Sequence, residues 1–197
     1  MANKQNTKQT ITTSHLLFLI SGITLIIYYL VSKGVPSIGN SITSIMSFIA
    51  ELFVLILLIG FYCFFLFGVH NCQGTIKSIA PSLLILIAVG SYSMNFGNAA
   101  ANAVISSIAS MFYLLIIVCG FVFLFVHSKL LGLVFCYSTL IYATFVMLSY
   151  AIVMIMTLVN GQGFSVSKLV ETILYAGSLS LLFAGSYLAT KNKSWSF

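Results

Sequence analysis

The chain has 197 residues, 60% of them hydrophobic and only 5% charged, with eight lysines, two glutamates and neither Asp nor Arg. A water-soluble domain carries about a quarter charged residues because its surface meets water. Ten charges cannot coat a 21.5 kDa globule. A soluble fold is therefore excluded, as is disorder, which needs low hydrophobicity and high net charge.

In chain order, residues 1–15 are polar and basic, with Lys4 and Lys8, and an apolar run over 16–31 follows. The layout is that of a secretory signal, but no small-residue cleavage pattern closes the run, so it reads as an uncleaved first helix. A spanning helix needs roughly 20 mostly apolar residues at about 1.5 Å rise each. Further runs of this kind cover 46–67, 79–96, 104–126, 130–159 and 169–189. Backbone hydrogen bonding in hydrocarbon permits only helices or closed barrels, and runs without polar alternation exclude a barrel. The expectation is an all-α polytopic bundle of about six transmembrane helices: a membrane domain over 16–190, then a short tail over 191–197. The fifth run is long enough to tilt. Pro81 and Gly90 interrupt the third run, with Pro81 expected in the first turn, where a missing N–H costs least.

Positive charge collects on the retained side of a membrane. With six spans, Lys4, Lys8, Lys77, Lys129, Lys191 and Lys193 share one side with His15, His70 and His127, whereas Lys33 and Lys168 lie on the other. Both termini are thus expected in the cytoplasm, most simply at a bacterial inner or plasma membrane. The basic ends suit anionic headgroups better than nucleic acid. Outer loops over 34–44, 97–103 and 160–167 are rich in Gly, Asn and Ser. In the first of them Ile38, Ile42, Ile45 and Ile49 recur at helical spacing, an amphipathic pattern suited to the interface, with Ser37 after Pro36 as its N-cap. None of these loops is long enough for an outer domain.

A shift of 60 residues lays Ile45, Ser47, Leu55, Ile56, Gly60, Phe61 and Phe65 on Ile105, Ser107, Leu115, Ile116, Gly120, Phe121 and Phe125. A second shift brings Ser107 to Ser167, and the full shift brings Glu51 to Glu171. Two explanations stand: three hairpin repeats of about 60 residues, or similar compositions meeting similar packing needs.

Ionisable groups inside spans are functional candidates. Glu51 and Glu171 both fall near the outer ends of their helices, close to helix N-termini that favour a carboxylate. They read either as locally paired interfacial carboxylates, with Lys33 and Lys168 as partners, or as a shared proton or cation site. Catalysis is not expected. A Ser-His-Asp arrangement lacks its Asp, phosphoryl transfer lacks Arg and a metal-holding carboxylate pair, and no phosphate loop is present. His70, Cys72 and His127 share a side, but HxC without a second close pair is a weak metal signature. Cys63, Cys72, Cys119 and Cys136 form no CxxC pair, so neither disulfides nor cofactors are expected. In the last span Ala176, Ser180 and Ala184 recur every fourth residue beside Gly177 and Gly185, and Ala99, Ala103 and Ser107 form a similar stripe before the fourth. Such stripes let helices approach closely, within this bundle or against another subunit in a homo- or hetero-oligomer. Trp195 and Phe197 follow the last span, where aromatic rings favour the headgroup belt.

The segment from Ser37 to Asn71, SIGNSITSIMSFIAELFVLILLIGFYCFFLFGVHN, runs from a Ser/Ile stretch into an apolar helix with a Gly-Phe pair and then a His-Asn loop. It resembles the hairpin unit of small inner-membrane components of type IVB secretion and conjugation systems, the Dot/Icm group. The resemblance implies a non-enzymatic subunit of a translocation machine and carries over no site residues. Two function classes follow. One is an assembly subunit of a multiprotein membrane complex. The other is a small transporter, channel or binding module using Glu51 and Glu171. A toxin-immunity membrane protein is a third option.

Overall fold

A computed structural model describes residues 13–33, 42–68, 74–95, 99–126, 128–161 and 165–191. It contains six helices: α1 Thr13–Lys33, α2 Ile42–Cys63, α3 Gly74–Val89, α4 Ala99–Phe125, α5 Lys129–Val159 and α6 Val166–Lys191. A π-helical turn, Phe64–Gly68, continues α2, and no strand occurs among the described residues. Five helices, all but α3, are long and apolar enough to cross a membrane. The chain is an all-helical, multi-pass membrane protein. Lys4, Lys8, Pro36, Ser37, Ile38, His70, Cys72, His127, Lys193, Trp195 and Phe197 lie outside the described residues.

Helices α1, α6, α5, α4 and α3 each pack on the next in that order, and α3 returns to α1, closing a five-helix ring. Phe18, Leu83, Phe135, Tyr142, Tyr175 and Leu179 fill its interior. The outward faces are equally apolar, with Met111 65% and Phe125 77% exposed. That inversion is what lipid demands, because no hydrophobic reward separates inside from outside, and small residues with interhelical hydrogen bonds select the inner faces instead. The α1–α6 crossing is close. A Cβ on Gly185 would lie 2.8 Å from Phe18 Cε1 and 3.1 Å from the Ser14 carbonyl oxygen. Further along, Ser21 donates to the Ser178 carbonyl at 2.8 Å. α3 is tied to α1 in the same way, through Ser82 donating to the Phe18 carbonyl at 2.6 Å.

Helix α2 stands outside this ring. Tyr62, near its C-terminal end, donates to the Leu19 carbonyl at 2.9 Å, but Ile45, Ile49, Phe53 and Ile56 along the rest of it are exposed. α1 and α2 barely touch, whereas α5 and α6 pack along their lengths. The 60-residue sequence period therefore does not correspond to three equivalently packed hairpins, although α2, α4 and α6 all run away from the far end of the bundle, the end holding Lys33, Val159 and Val166.

The third segment departs from a continuous span over 79–96. Its helix starts earlier, at Gly74, so Pro81 falls in the helix interior rather than the first turn. It also ends earlier, at Val89. At 16 residues α3 is ~24 Å long, short of a hydrocarbon core of about 30 Å. Residues 90–95 continue from it without helix.

The α1–α6 crossing sets a contrast between two glycines of α6. Gly185→Ala forces backbone or ring displacement and should destabilise the purified protein by about 1–3 kcal/mol in an unfolding titration. Gly177→Ala, with open space where its Cβ would go, should stay within about 0.5 kcal/mol of the parent. Equal effects would refute the crossing as described.

Candidate functional site

The polar chemistry of the ring gathers where α3 unwinds. Gly90 adopts φ +81°, a left-handed conformation that only glycine takes without strain, and its N–H makes the last helical bond, to Leu86 O at 3.0 Å. Ser91, Ser93 and Asn95 follow, residue types whose side chains compete with the helix for backbone partners. In hydrocarbon, an unwound backbone survives only where protein or trapped water satisfies it.

Side chains of α5 and α6 meet part of it, and one from α4 braces the helix end just before it. Tyr175 of α6 donates to Gly90 O at 2.9 Å, and Tyr113 of α4 donates to Leu86 O at 3.0 Å. The Tyr92 N–H donates to Tyr142 Oη of α5 at 3.0 Å. Ser149 of α5 accepts from the Asn95 N–H at 2.8 Å and donates to the Asn95 carbonyl at 3.1 Å, replacing a missing rung of helix. Tyr92 Oη and Thr172 Oγ1 of α6 lie 2.7 Å apart, and Asn102 of α4 donates to Asn95 Oδ1 at 3.2 Å. Tyr92 and Asn95 thus meet α5 at Tyr142 and Ser149, two helical turns apart, so the non-helical segment runs alongside α5.

The rings that supply these hydroxyls also pack on one another. Tyr175, fully buried, has Tyr28, Tyr92 and Tyr142 at centroid separations of 4.9, 5.3 and 6.3 Å, and Tyr113 lies 5.6 Å from Tyr142. Edge-on and tilted geometries at such distances suit the ring quadrupoles. Beside the cluster, at the seam between the unwound strand and α4, lies a cleft of about 240 Å³ lined by Ser91, Tyr92, Ser93, Met94, Ser106, Ala109, Ser110 and Tyr142. Ser106 sits seven residues into α4, ~10 Å from its start, so the cleft is within the depth of the bundle rather than on a loop tip.

The sequence-derived candidates are placed as follows. Glu171 is paired with Lys168, Nζ to Oε2 3.0 Å, with the carboxylate side chain 12% exposed and the ammonium 60%. Such i,i+3 pairs are worth a few tenths of a kcal/mol. Glu51 lies on α2, which does not touch α6, so the two glutamates are on non-adjacent helices with α1 between them. Lys33 is the last residue of α1. Among the small residues of α6, Ala176 and Gly185 are buried inside the ring, whereas Gly177, Ser180 and Ala184 are half-buried or exposed on its outer side. Among the described residues no three His, Cys, Asp or Glu side chains cluster as metal ligands. His15 opens α1 with its Nε2 buried and unpartnered.

Missed by sequence reasoning were Tyr92, Tyr113, Tyr142, Ser149, Thr172 and Tyr175, whose numbers span more than 80 positions and form no local motif. A signal was available. Hydroxyl side chains inside otherwise apolar spans recur at i,i+3, i,i+4 and i,i+7 (Thr172/Tyr175, Ser106/Ser110, Tyr142/Ser149), which puts each pair on one helix face. No protein family, curated protein or solved structure shows a significant match to this chain.

Two substitutions test how the strand is held. Gly90→Ala must place a Cβ in the left-handed region and should lower stability by about 1–2 kcal/mol. Tyr175→Phe removes the donor to Gly90 O and should lower it by about 0.6–2 kcal/mol. Because both act on one element, the double variant should lose less than the two losses added together. Strict additivity would argue against a shared anchor.

Proposed function

We propose that the protein is a non-enzymatic binding module of the membrane, of the small-transporter or membrane-receptor kind, that admits a small solute to the cleft between the unwound strand and α4. One observation carries this reading: a discontinuous spanning helix with a polar cleft beside its break. Where membrane proteins bind solutes, spans are broken in this manner, because the freed backbone and its partners supply polar groups that intact helices withhold. The polar focus is therefore the tyrosine–serine cluster on α3 to α6 rather than Glu51 with Glu171. The excess of lysines at one end of the bundle supports cytoplasmic termini in a bacterial-type inner membrane, and on that reading the cleft lies in the outer half.

A second reading, an assembly subunit of a larger membrane complex, is favoured by α2, which is apolar around most of its circumference and scarcely bound to its own ring. The resemblance of its sequence to type IVB secretion and conjugation components belongs with this reading. A membrane-embedded partner would cover α2 and leave the cleft closed to solutes.

The two readings are separated by thiol labelling. In a protein whose four native cysteines are replaced, Ser106→Cys should react in intact cells with a membrane-impermeant thiol reagent, and Ile116→Cys, buried in the ring, should not. Reporter tags on the two termini should both answer from the cytoplasm. An inert Ser106→Cys, with α2 crosslinking to another protein, would replace the binding module by the assembly subunit.

A further inference from the structure

Most hydroxyls inside the spans are already engaged. Thr139, Thr172, Ser178 and Ser186 donate to carbonyls of their own helices, and Ser21 and Ser82 donate across helices. On α4 the contrast falls between neighbours. Ser107 donates to the Ala103 carbonyl at 2.6 Å, while Ser106, one residue earlier, has no hydrogen-bond partner among the described residues. Ser91, Ser93 and Ser110 are unpartnered in the same sense, and all four line the cleft. Ser91, Ser93 and Ser110 are exposed and Ser106 is half-buried, so their hydroxyls are open to a polar group entering the cleft.

Charge, valence and size each narrow the occupant. No Lys, Glu or His lines the cleft, and the nearest ionised pair on α6, Lys168 with Glu171, is matched internally. An ionic guest would be desolvated without a counter-charge, which is strongly unfavourable in a low-dielectric setting. Each serine hydroxyl can donate one hydrogen bond and accept two, so the wall as a whole suits groups that also do both. Tyr92, Tyr142, Met94 and Ala109 add apolar surface beside those hydroxyls, a mixture that fits a ring with polar edges and C–H faces. At about 30 Å³ per water, 240 Å³ corresponds to about eight waters, the scale of one small ring with its substituents.

Resting on the reading of this cleft as a binding site, we propose that its ligand is an uncharged polyhydroxyl group of monosaccharide size, bound by Ser91, Ser93, Ser106 and Ser110. That group can arrive as a free sugar or cyclic polyol, or as the neutral sugar headgroup of a lipid.

The experiment uses the full-length protein in nanodiscs and follows its thermal midpoint. Free D-glucose and myo-inositol form one arm, and nanodiscs with or without a monoglucosyl diacylglycerol form the other. Lysine, glutamate and choline serve as charged probes. A saturable upward shift is expected with a neutral polyhydroxyl probe in at least one arm, the responding arm identifying the source. Ser106→Val combined with Ser110→Val should weaken that response at least tenfold, and Ser107→Val should leave it unchanged. Saturation by charged probes alone, or neutral binding indifferent to the Ser106/Ser110 double variant, would overturn the ligand assignment. Failure of every neutral probe while Ser106→Cys labels from outside overturns the ligand class and leaves the binding module standing. Failure of every probe with Ser106→Cys inert removes both.

Discussion

An amide that leaves a helix inside hydrocarbon must find another partner at once, since no water is there to take it. The rest of this structure is arranged around meeting that demand over residues 90–95. Gly90 ends α3 in a left-handed conformation, and Tyr142, Ser149 and Tyr175 meet backbone groups of the segment that follows, while Thr172 meets the Tyr92 hydroxyl and Tyr113 the Leu86 carbonyl just before it.

This arrangement explains why the tyrosines are so deeply buried. A tyrosine inside a bundle brings both a large apolar ring and one hydroxyl. Here the rings pack on each other around Tyr175, while the hydroxyls point at backbone groups of α3 or at Thr172. Packing and hydrogen bonding are therefore satisfied by the same residues. The cleft lies where this economy stops. On its walls Ser91, Ser93, Ser106 and Ser110 have hydroxyls without a hydrogen-bond partner among the described residues.

Much of the architecture is legible in the sequence because hydrophobic length is a strong signal. The apolar run over 130–159 differs from α5, Lys129–Val159, by one residue, and the run over 169–189 sits inside α6. The α3 segment shows where the signal runs out. Hydropathy over 79–96 averages across Gly90 and cannot distinguish a helical from an extended crossing, since both place apolar residues at the same depth. Gly90 and Pro81 mark the segment as unusual, but which of them breaks the helix depends on partners. Pro81 is absorbed into α3, and Gly90 ends it where Tyr142, Ser149 and Tyr175, from distant segments, meet backbone groups of the residues that follow. The carboxylates drew attention because charge is rare here, yet Glu51 and Glu171 sit on helices that never meet. Neutral hydroxyls, common and individually unremarkable, carry the convergence instead.

The ring closes between the first helix and the last, and this has a bearing on how the protein is made. From Lys33 at the end of α1 to Val166 at the start of α6 the ribosome must add more than 130 residues. At about 5–20 residues per second, this leaves α1 in the bilayer for on the order of ten seconds before its main neighbour exists. Throughout that interval Ser21 lacks the Ser178 carbonyl and the Gly185 notch that receives Phe18 has yet to be synthesised. Until then α1 has only α3 of its two ring neighbours, held by Ser82 on the Phe18 carbonyl.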